Sequence, residues 1–232
     1  MTVSPASLSA ALAVLGNPEQ AVPAETVWAQ TSVFYPHWWR KRWPQHLALP
    51  EFLKRPEAQL SVSRKRLFEL ADGIETEADA LSFYVAVCAW GAGTYAQQVA
   101  RSMKPLVQPD APAKLLEGFK VAATSTATES YAAFHDAGPA KIKGLGPAFF
   151  SKLMYFAAGQ PSPLATRHPL ILDKRVAQAL GWKKTADWST SEYSAYLDLI
   201  EALHQQWRPD LPTDVIEYTL FQGPAAALPP SI

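Results

Sequence analysis

A glycine turn between two apolar helical segments is the feature that most limits how this chain can fold. The turn is Gly144-Leu145-Gly146-Pro147, within the stretch KIKGLGPAFFSKLMYFAAG. Two glycines permit a hairpin that residues with larger side chains could not make, and a proline suits the first position of a helix. Residues 148–158 are apolar at helical spacing. The segment therefore predicts a helix, a tight turn and a second helix.

The same turn is a candidate phosphate-binding site. Backbone amides at the start of the second helix are free to donate hydrogen bonds, and two lysines add positive charge beside them. On spacing alone, a plain turn between packed helices is the better explanation, because Gly-x-Gly is a common pattern. The residues that would contact a phosphate are Lys141, Lys143, Gly144, Leu145 and Gly146.

Helix-start signals recur along the rest of the chain. Three pairs have the spacing of a capping box: Thr76 with Asp79, Thr126 with Glu129, and Ser189 with Glu192. Further helices are expected to begin near four more positions: Tyr95, Asp110, Asp173 and Pro212. Gly91 and Gly93 are expected to end the first helix near Trp90. No run alternates apolar and polar residues over a convincing length, and the 20 prolines fall mostly between helical segments. We therefore predict an all-α fold.

Size and composition exclude several classes of protein. A chain of 232 residues with 48% hydrophobic and 18% charged side chains can bury one core or two small lobes. Its longest apolar stretch, residues 83–90, is too short to cross a bilayer, and the N-terminus lacks the basic start of a signal peptide. The single cysteine, Cys88, excludes a disulfide framework, and the five histidines lack metal-ligand spacing. We expect a soluble cytoplasmic protein with no membrane contact, no metal and no cofactor.

An isolated acid follows the glycine turn at a distance. The segment PLILDKRVAQAL places Asp173 after three apolar residues, at the start of a predicted helix. Together with GLGPAFFSKLMYFAAG and the earlier CAWGAGTYAQQVAR, it resembles the helix-hairpin-helix DNA glycosylases, and especially bacterial proteins with the fold of 8-oxoguanine DNA glycosylase. The resemblance covers about residues 83–181. It implies a single unit of two lobes, residues 70–160 and residues 1–69 with 161–232, and DNA bound between them.

The resemblance implies that Asp173 is the catalytic aspartate of that family. As an N-glycosidic bond breaks, positive charge builds on the sugar, and a nearby carboxylate stabilises it. The same carboxylate could orient or deprotonate the attacking nucleophile. Without the resemblance, Asp173 is better explained as the cap of the helix that it begins.

The sequence departs from the family at the nucleophile. Bifunctional members carry a lysine two residues after the second glycine, where this chain has Ala148. Lys152 lies one helical turn later on the same face, and its amine could reach back because helical side chains lean toward the N-terminus. The apolar neighbours Phe149, Phe150 and Met154 would favour a neutral, nucleophilic amine. Lys152 could equally extend into solvent or contact a phosphate. Hydrolysis alone, and hydrolysis with strand cleavage as an AP lyase, therefore both stay open.

A glycosylase must also flip its target base out of the duplex, which takes stacking side chains and phosphate contacts. Lys plus Arg and Asp plus Glu both total 21, but residues 34–66 hold eight Lys or Arg, two Glu and three Trp. The run WWRKRW within them is hard to bury because its charges need water. The candidate phosphate contacts are Arg40, Lys41, Arg42 and Arg175. The candidate wedge or stacking residues are Trp38, Trp39, Trp43 and Trp90, although core packing is the default for any one tryptophan.

Substrate and biological role stay open at this point. The resemblance suggests an oxidised purine, and a modified base of phage DNA is the alternative, so both repair and antiviral defence fit. Asp214, Glu217 and Gln222 could read the base or satisfy neighbouring arginines. The expected partner is double-stranded DNA with a damaged or modified base, bound by a monomer at the nucleoid. Two rival functions are a non-catalytic hairpin module that binds DNA, and a helical protein-interaction domain that uses WWRKRW and the acidic residues 69–79.

Overall fold

The computed structural model describes residues 4–165 and 167–223, which contain thirteen α-helices, two short 3₁₀ helices and one two-stranded sheet. The N-terminal elements are α1 (Pro5–Leu15), α2 (Ala24–Trp28), β1 (Thr31–Phe34), α3 (Pro36–Arg42), α4 (Glu51–Lys54), β2 (Leu60–Ser63) and α5 (Arg64–Ala71). The central helices are α6 (Glu77–Ala92), α7 (Ala96–Met103), α8 (Ala111–Thr124), α9 (Ala127–His135) and α10 (Pro147–Ala157). The C-terminal helices are α11 (Lys174–Ala179), α12 (Thr190–Trp207) and α13 (Thr213–Gln222). The predicted all-α fold is confirmed.

Local capping explains where several helices begin. All three predicted capping boxes are present, at the starts of α6, α9 and α12. α6 continues through Gly91 and ends at Ala92, two residues later than predicted. The helix tolerates Gly91, and Gly93 ends it with a positive φ of 53°. Asp110 precedes α8 but does not cap it, because its carboxylate pairs with Lys114 instead.

The small sheet was not predicted. β1 and β2 pair antiparallel, with Thr31 opposite Ser63 and Phe34 opposite Leu60. Four residues are too few to show a clear alternation of apolar and polar positions. The sheet packs on α6 and holds residues 30–32 against the C-terminal end of that helix.

α6 forms the centre of the core. Its side chains are buried around most of its circumference, as expected for a helix that is apolar on every face. It contacts α5, α7, α8, α10 and both strands. Buried apolar residues from the N-terminal, central and C-terminal elements join around it in one cluster. The boundaries of the two lobes therefore stay a prediction.

No helix in the described part of the chain is long and apolar enough to span a membrane.

Candidate active site

The glycine turn leads directly into α10. Gly144 has a positive φ of 90°, Gly146 is the N-cap, and Pro147 takes the first helical position. The helix before the turn, α9, ends at His135, so residues 136–146 form a longer connection than the tight hairpin that the sequence predicts. Leu145 is buried and its backbone N–H donates to the carbonyl oxygen of Ile142 at 3.1 Å, so within the turn the amides of Gly144 and Gly146 are the better candidates for a ligand.

Asp173 is both a cap and a cavity residue. Its Oδ1 accepts hydrogen bonds from the backbone amides of Arg175 at 3.0 Å and Val176 at 3.3 Å, which starts α11. Its Oδ2 accepts a hydrogen bond from Lys152 Nζ at 3.1 Å. The helix cap and the contact with Lys152 therefore use different oxygens of one carboxylate.

Lys152 reaches back along α10 in the way that helical side chains lean. Nζ also donates to the carbonyl oxygen of Ala148 at 2.9 Å, one turn toward the N-terminus. The amine thus lies beside the position where bifunctional glycosylases carry their lysine. The side chains of Lys152 and Asp173 are only 12% and 15% exposed, so the pair is screened little by water.

The environment keeps Asp173 ionised. Burial raises the pKa of its carboxyl group, but the Lys152 ammonium and the two backbone amides of α11 outweigh burial and hold the pKa below its usual value. An ionised carboxylate is the form that stabilises a positively charged sugar.

Both residues line the main cavity, a space of about 520 Å³ that is open to solvent. Aromatic side chains of Trp90, Phe149 and Phe221 line it. Its mouth includes Tyr95, the N-cap of α7, and Gln98 and Arg101 further along that helix. We call Arg64 and Glu217 the floor pair, because both are buried and both line this cavity.

The floor pair has one unused acceptor. Arg64 Nη1 donates to Glu217 Oε2 at 2.8 Å, and Arg64 Nε donates to Gln30 Oε1 at 2.7 Å. Glu217 Oε1 is buried and has no partner among the described residues. Burial raises the pKa of Glu217, the Arg64 charge opposes that shift, and the charges of Asp173 and Asp214 add to it.

Asp214 lies in the same buried network but not on the cavity wall. Its Oδ2 accepts hydrogen bonds from Tyr155 Oη at 2.7 Å and Trp28 Nε1 at 3.0 Å. Of the three C-terminal candidates, Glu217 and Asp214 therefore both satisfy buried donors, and Glu217 alone also lines the main cavity. Gln222 is exposed and does not line it.

The four candidate tryptophans have different surroundings. Trp90 lines the main cavity, with the Arg64 guanidinium 5.0 Å from its ring. Trp39 is fully buried, so its predicted role as a wedge or stacking residue is wrong, because a side chain with no exposed surface cannot enter DNA. Trp38 and Trp43 are half-buried outside the main cavity. Trp43 Nε1 donates to Leu47 O at 2.9 Å.

The candidate phosphate contacts are mostly exposed. Lys41, Arg42, Lys141 and Lys143 are all at the surface. Arg40 is exposed as well, but its guanidinium donates to the carbonyl oxygens of Leu53 and Arg55, which ties α3 to α4. Arg175 lines the main cavity with its guanidinium 4.2 Å from the Phe221 ring.

A residue outside the predicted set connects these basic groups. Gly144 lies against Lys104, because a Cβ atom on Gly144 would be 3.5 Å from Lys104 Cβ. Lys104 also lines a groove between α3 and α7 that contains Arg42 and His46. Lys104 therefore lies between the glycine turn and the groove beside α3, and we call Lys141, Lys143, Lys104 and Arg42 the basic surface.

A helical fold in which a glycine turn and an aspartate-capped helix bring a carboxylate and a lysine into one cavity is typical of a DNA glycosylase. Residues 25–221 match the family described as "Putative 8-oxoguanine DNA glycosylase OGG-like protein", and the chain belongs to that family. Membership of this family implies that the substrate is DNA. No curated protein and no solved structure matched the chain.

Proposed function

We propose that this protein excises a flipped base in the main cavity and that Lys152 forms a covalent intermediate with the sugar. The observation that carries this proposal is the contact of 3.1 Å between Lys152 Nζ and Asp173 Oδ2 within the cavity. A lysine that only bound phosphate would extend into solvent, whereas this amine is nearly buried beside an ionised carboxylate.

The shape and lining of the cavity support a flipped base as its ligand. A volume of about 520 Å³ lies in the ordinary range for a small-molecule site. Trp90, Phe149 and Phe221 offer π-faces against which a base can stack. Asp173 and Lys152 lie in the same space, where the sugar of that nucleotide would be held.

The chemistry follows from the two side chains. Asp173 takes one proton from Nζ, which then bonds to C1′ as the C1′–N bond breaks. The electron pair of that bond leaves with the base, and the proton passes from Asp173 to the base. A second Nζ proton moves to O4′ as the sugar ring opens, which gives an iminium between Nζ and C1′. Asp173, ionised again, would then take a proton from C2′ of this iminium. A C2′–C3′ double bond would form, and the 3′ phosphate would leave with the electron pair of the C3′–O bond, which cleaves the strand.

The floor pair supports a purine with N–H donors on its pairing edge. When Glu217 is ionised, its unpaired oxygen accepts hydrogen bonds and donates none. Arg64 holds the other oxygen in place. A guanine-type edge carries the N1–H and N2–H donors that complement it. The 8-oxoguanine in the family's description has this edge.

The basic surface from the glycine turn to α3 supports binding of the phosphate backbone. Gly144 and Gly146 line a groove separate from the main cavity, together with Lys141 and Lys143, so backbone amides and lysines could contact one phosphate there. Lys104 and Arg42 continue the positive charge beyond the turn.

The test is incubation of the purified protein with duplexes that carry 8-oxoguanine and with phage DNA that carries modified cytosine. Free base is measured by chromatography, and covalent adducts are trapped with borohydride. Release of a base together with a trapped adduct supports the proposal. Release without an adduct would contradict the covalent intermediate and favour attack by a water molecule that Asp173 activates. Binding to DNA without release from any substrate would make the protein a non-catalytic binder.

A further inference from the structure

Tyr95 is an aromatic side chain exposed at the mouth of the main cavity. Three large hydrophobic residues in the described part of the chain are exposed: Tyr95 at 72%, Val107 at 67% and Leu164 at 91%. Single exposed apolar residues are normal on protein surfaces, so exposure alone carries no meaning. Of these three, Tyr95 alone lines the cavity that contains Asp173 and Lys152.

The backbone of Tyr95 is fixed while its side chain is free. Tyr95 is the N-cap of α7, and its carbonyl oxygen accepts hydrogen bonds from Gln98 N at 2.9 Å and Val99 N at 3.3 Å. Its own N–H donates to Ala92 O at 3.1 Å, at the end of α6. Its side chain is 72% exposed, so most of the ring and hydroxyl is open to solvent.

The turn before Tyr95 is held in place by its packing against β1. Gly93 takes its positive φ next to β1, where a Cβ atom would lie 3.3 Å from Ser32 Oγ. The chain is therefore held between α6, β1 and α7, and it presents the Tyr95 ring from a rigid support. Rigid presentation reduces the entropy lost when a side chain enters a ligand.

We propose that Tyr95 is the wedge that occupies the space left in the duplex by the flipped base. Stacking of its ring on the neighbouring bases would offset part of the stacking lost when the target base leaves. Gln98 and Arg101 follow at three-residue steps along α7 and line the same mouth. They would face the base that loses its partner. This assignment rests on the proposed function and replaces the tryptophans as wedge candidates.

The test compares substrates that differ in the energy needed for flipping. Single-turnover base release is measured on 8-oxoguanine paired with cytosine and on 8-oxoguanine in a single strand. Tyr95→Ala is expected to slow release from the paired duplex by about tenfold and to leave release from the single strand nearly unchanged. Tyr95→Phe keeps the ring and should behave as the wild type. Leu164→Ala, a change at an exposed residue outside the cavity, is the matched control.

A second readout does not depend on cleavage. Fluorescence of 2-aminopurine placed beside the target should rise on binding of the wild type and much less on binding of Tyr95→Ala. Equal slowing on both substrates, or no slowing on either, would overturn the wedge role. If the wild type releases no base, a fluorescence rise that Tyr95→Ala abolishes would support the wedge while the proposed chemistry fails. If the wild type gives neither release nor a fluorescence rise, both proposals are wrong.

Discussion

Lys152 Nζ lies 3.1 Å from Asp173 Oδ2, although the residues belong to α10 and to the N-cap of α11 and are 21 positions apart. The backbone amides of α11 hold the other oxygen of Asp173, so the carboxylate cannot turn away from the amine. The amine is held in turn by the Ala148 carbonyl. Each group is thus positioned by backbone, which is the arrangement that favours a preorganised catalytic pair.

Removal of the amine should abolish the covalent adduct. We expect Lys152→Gln to give no borohydride-trapped adduct and to slow base release by about a hundredfold or more. Lys174→Gln is the matched control, because Lys174 lines the same cavity next to Asp173 without a hydrogen bond to it. An adduct that persists in Lys152→Gln and disappears in Lys174→Gln would assign the nucleophile to Lys174.

Two substitutions at Asp173 separate its structural role from its chemical role. Asparagine caps a helix about as well as aspartate, whereas alanine loses about 1 kcal/mol of the free energy of unfolding. We therefore expect Asp173→Ala to be less stable than Asp173→Asn by about that amount in urea denaturation. Both should slow base release by about 10²–10⁴-fold, with DNA affinity retained. Base release by Asp173→Asn at the wild-type rate would make Asp173 a cap only.

The sequence predicts those parts of the fold that depend on neighbouring residues. Capping boxes act over three positions, so Thr76, Thr126 and Ser189 identify the starts of α6, α9 and α12. The glycine turn before Pro147 and the cap at Asp173 follow equally local rules. With the resemblance added, these rules locate both members of the Lys152–Asp173 pair.

The remaining features of the site depend on distant residues. Arg64 stands in a basic run typical of a surface, yet it is only 1% exposed, because Glu217 supplies a counter-charge from 153 positions away. Trp39 lies in a charged run but is buried, since its neighbours on α3 point outward. Local patterns contain no signal for such contacts. The exposure of Tyr95 likewise follows from how α6, α7 and β1 meet.

Glu217→Gln should invert the hydrogen-bonding character of the cavity floor. Arg64 donates to one position and would require the amide oxygen of glutamine there. The amide nitrogen would then occupy the position of the free oxygen and turn an acceptor into a donor. The measurement is a competition between a duplex with 8-oxoguanine and a duplex whose target base presents an acceptor on the same edge. We expect the variant to lower the ratio of 8-oxoguanine released to the other base released. Asp214→Asn changes the same buried network away from the cavity and should leave this ratio unchanged.

His168 should make the fold sensitive to mild acid. Burial lowers the pKa of His168 from an ordinary value of 6.5 to about 4, and its Nε2 has no partner among the described residues. Between about pH 6.5 and about pH 4 the unfolded state therefore binds more protons, and stability falls as the pH falls. The loss is on the order of 3 kcal/mol in the free energy of unfolding.

Substitution of His168 separates its contribution to the pH dependence of stability from the contribution of the acidic residues. Urea denaturation at both ends of that pH window should show a smaller loss of stability in His168→Gln than in the wild type. The variant is expected to be less stable at neutral pH because it disturbs packing against Tyr155, so the slope with pH is the informative quantity. The exposed His37→Gln is the control. An unchanged slope in His168→Gln would show that His168 is protonated without penalty.

The basic surface should give DNA binding a steep dependence on salt. Each lysine or arginine that neutralises a phosphate releases counterions, so its removal lowers the slope of log affinity against log salt by about one. We expect Lys104→Ala and Arg42→Ala each to reduce this slope on a short undamaged duplex, and the double variant to reduce it by about two. Lys120→Ala, at an exposed position of α8 outside the grooves that border the turn, is the control. A salt dependence that is weak in the wild type and equal in all four variants would contradict a phosphate role and favour binding of a protein partner at this surface, since an apolar protein interface responds little to salt.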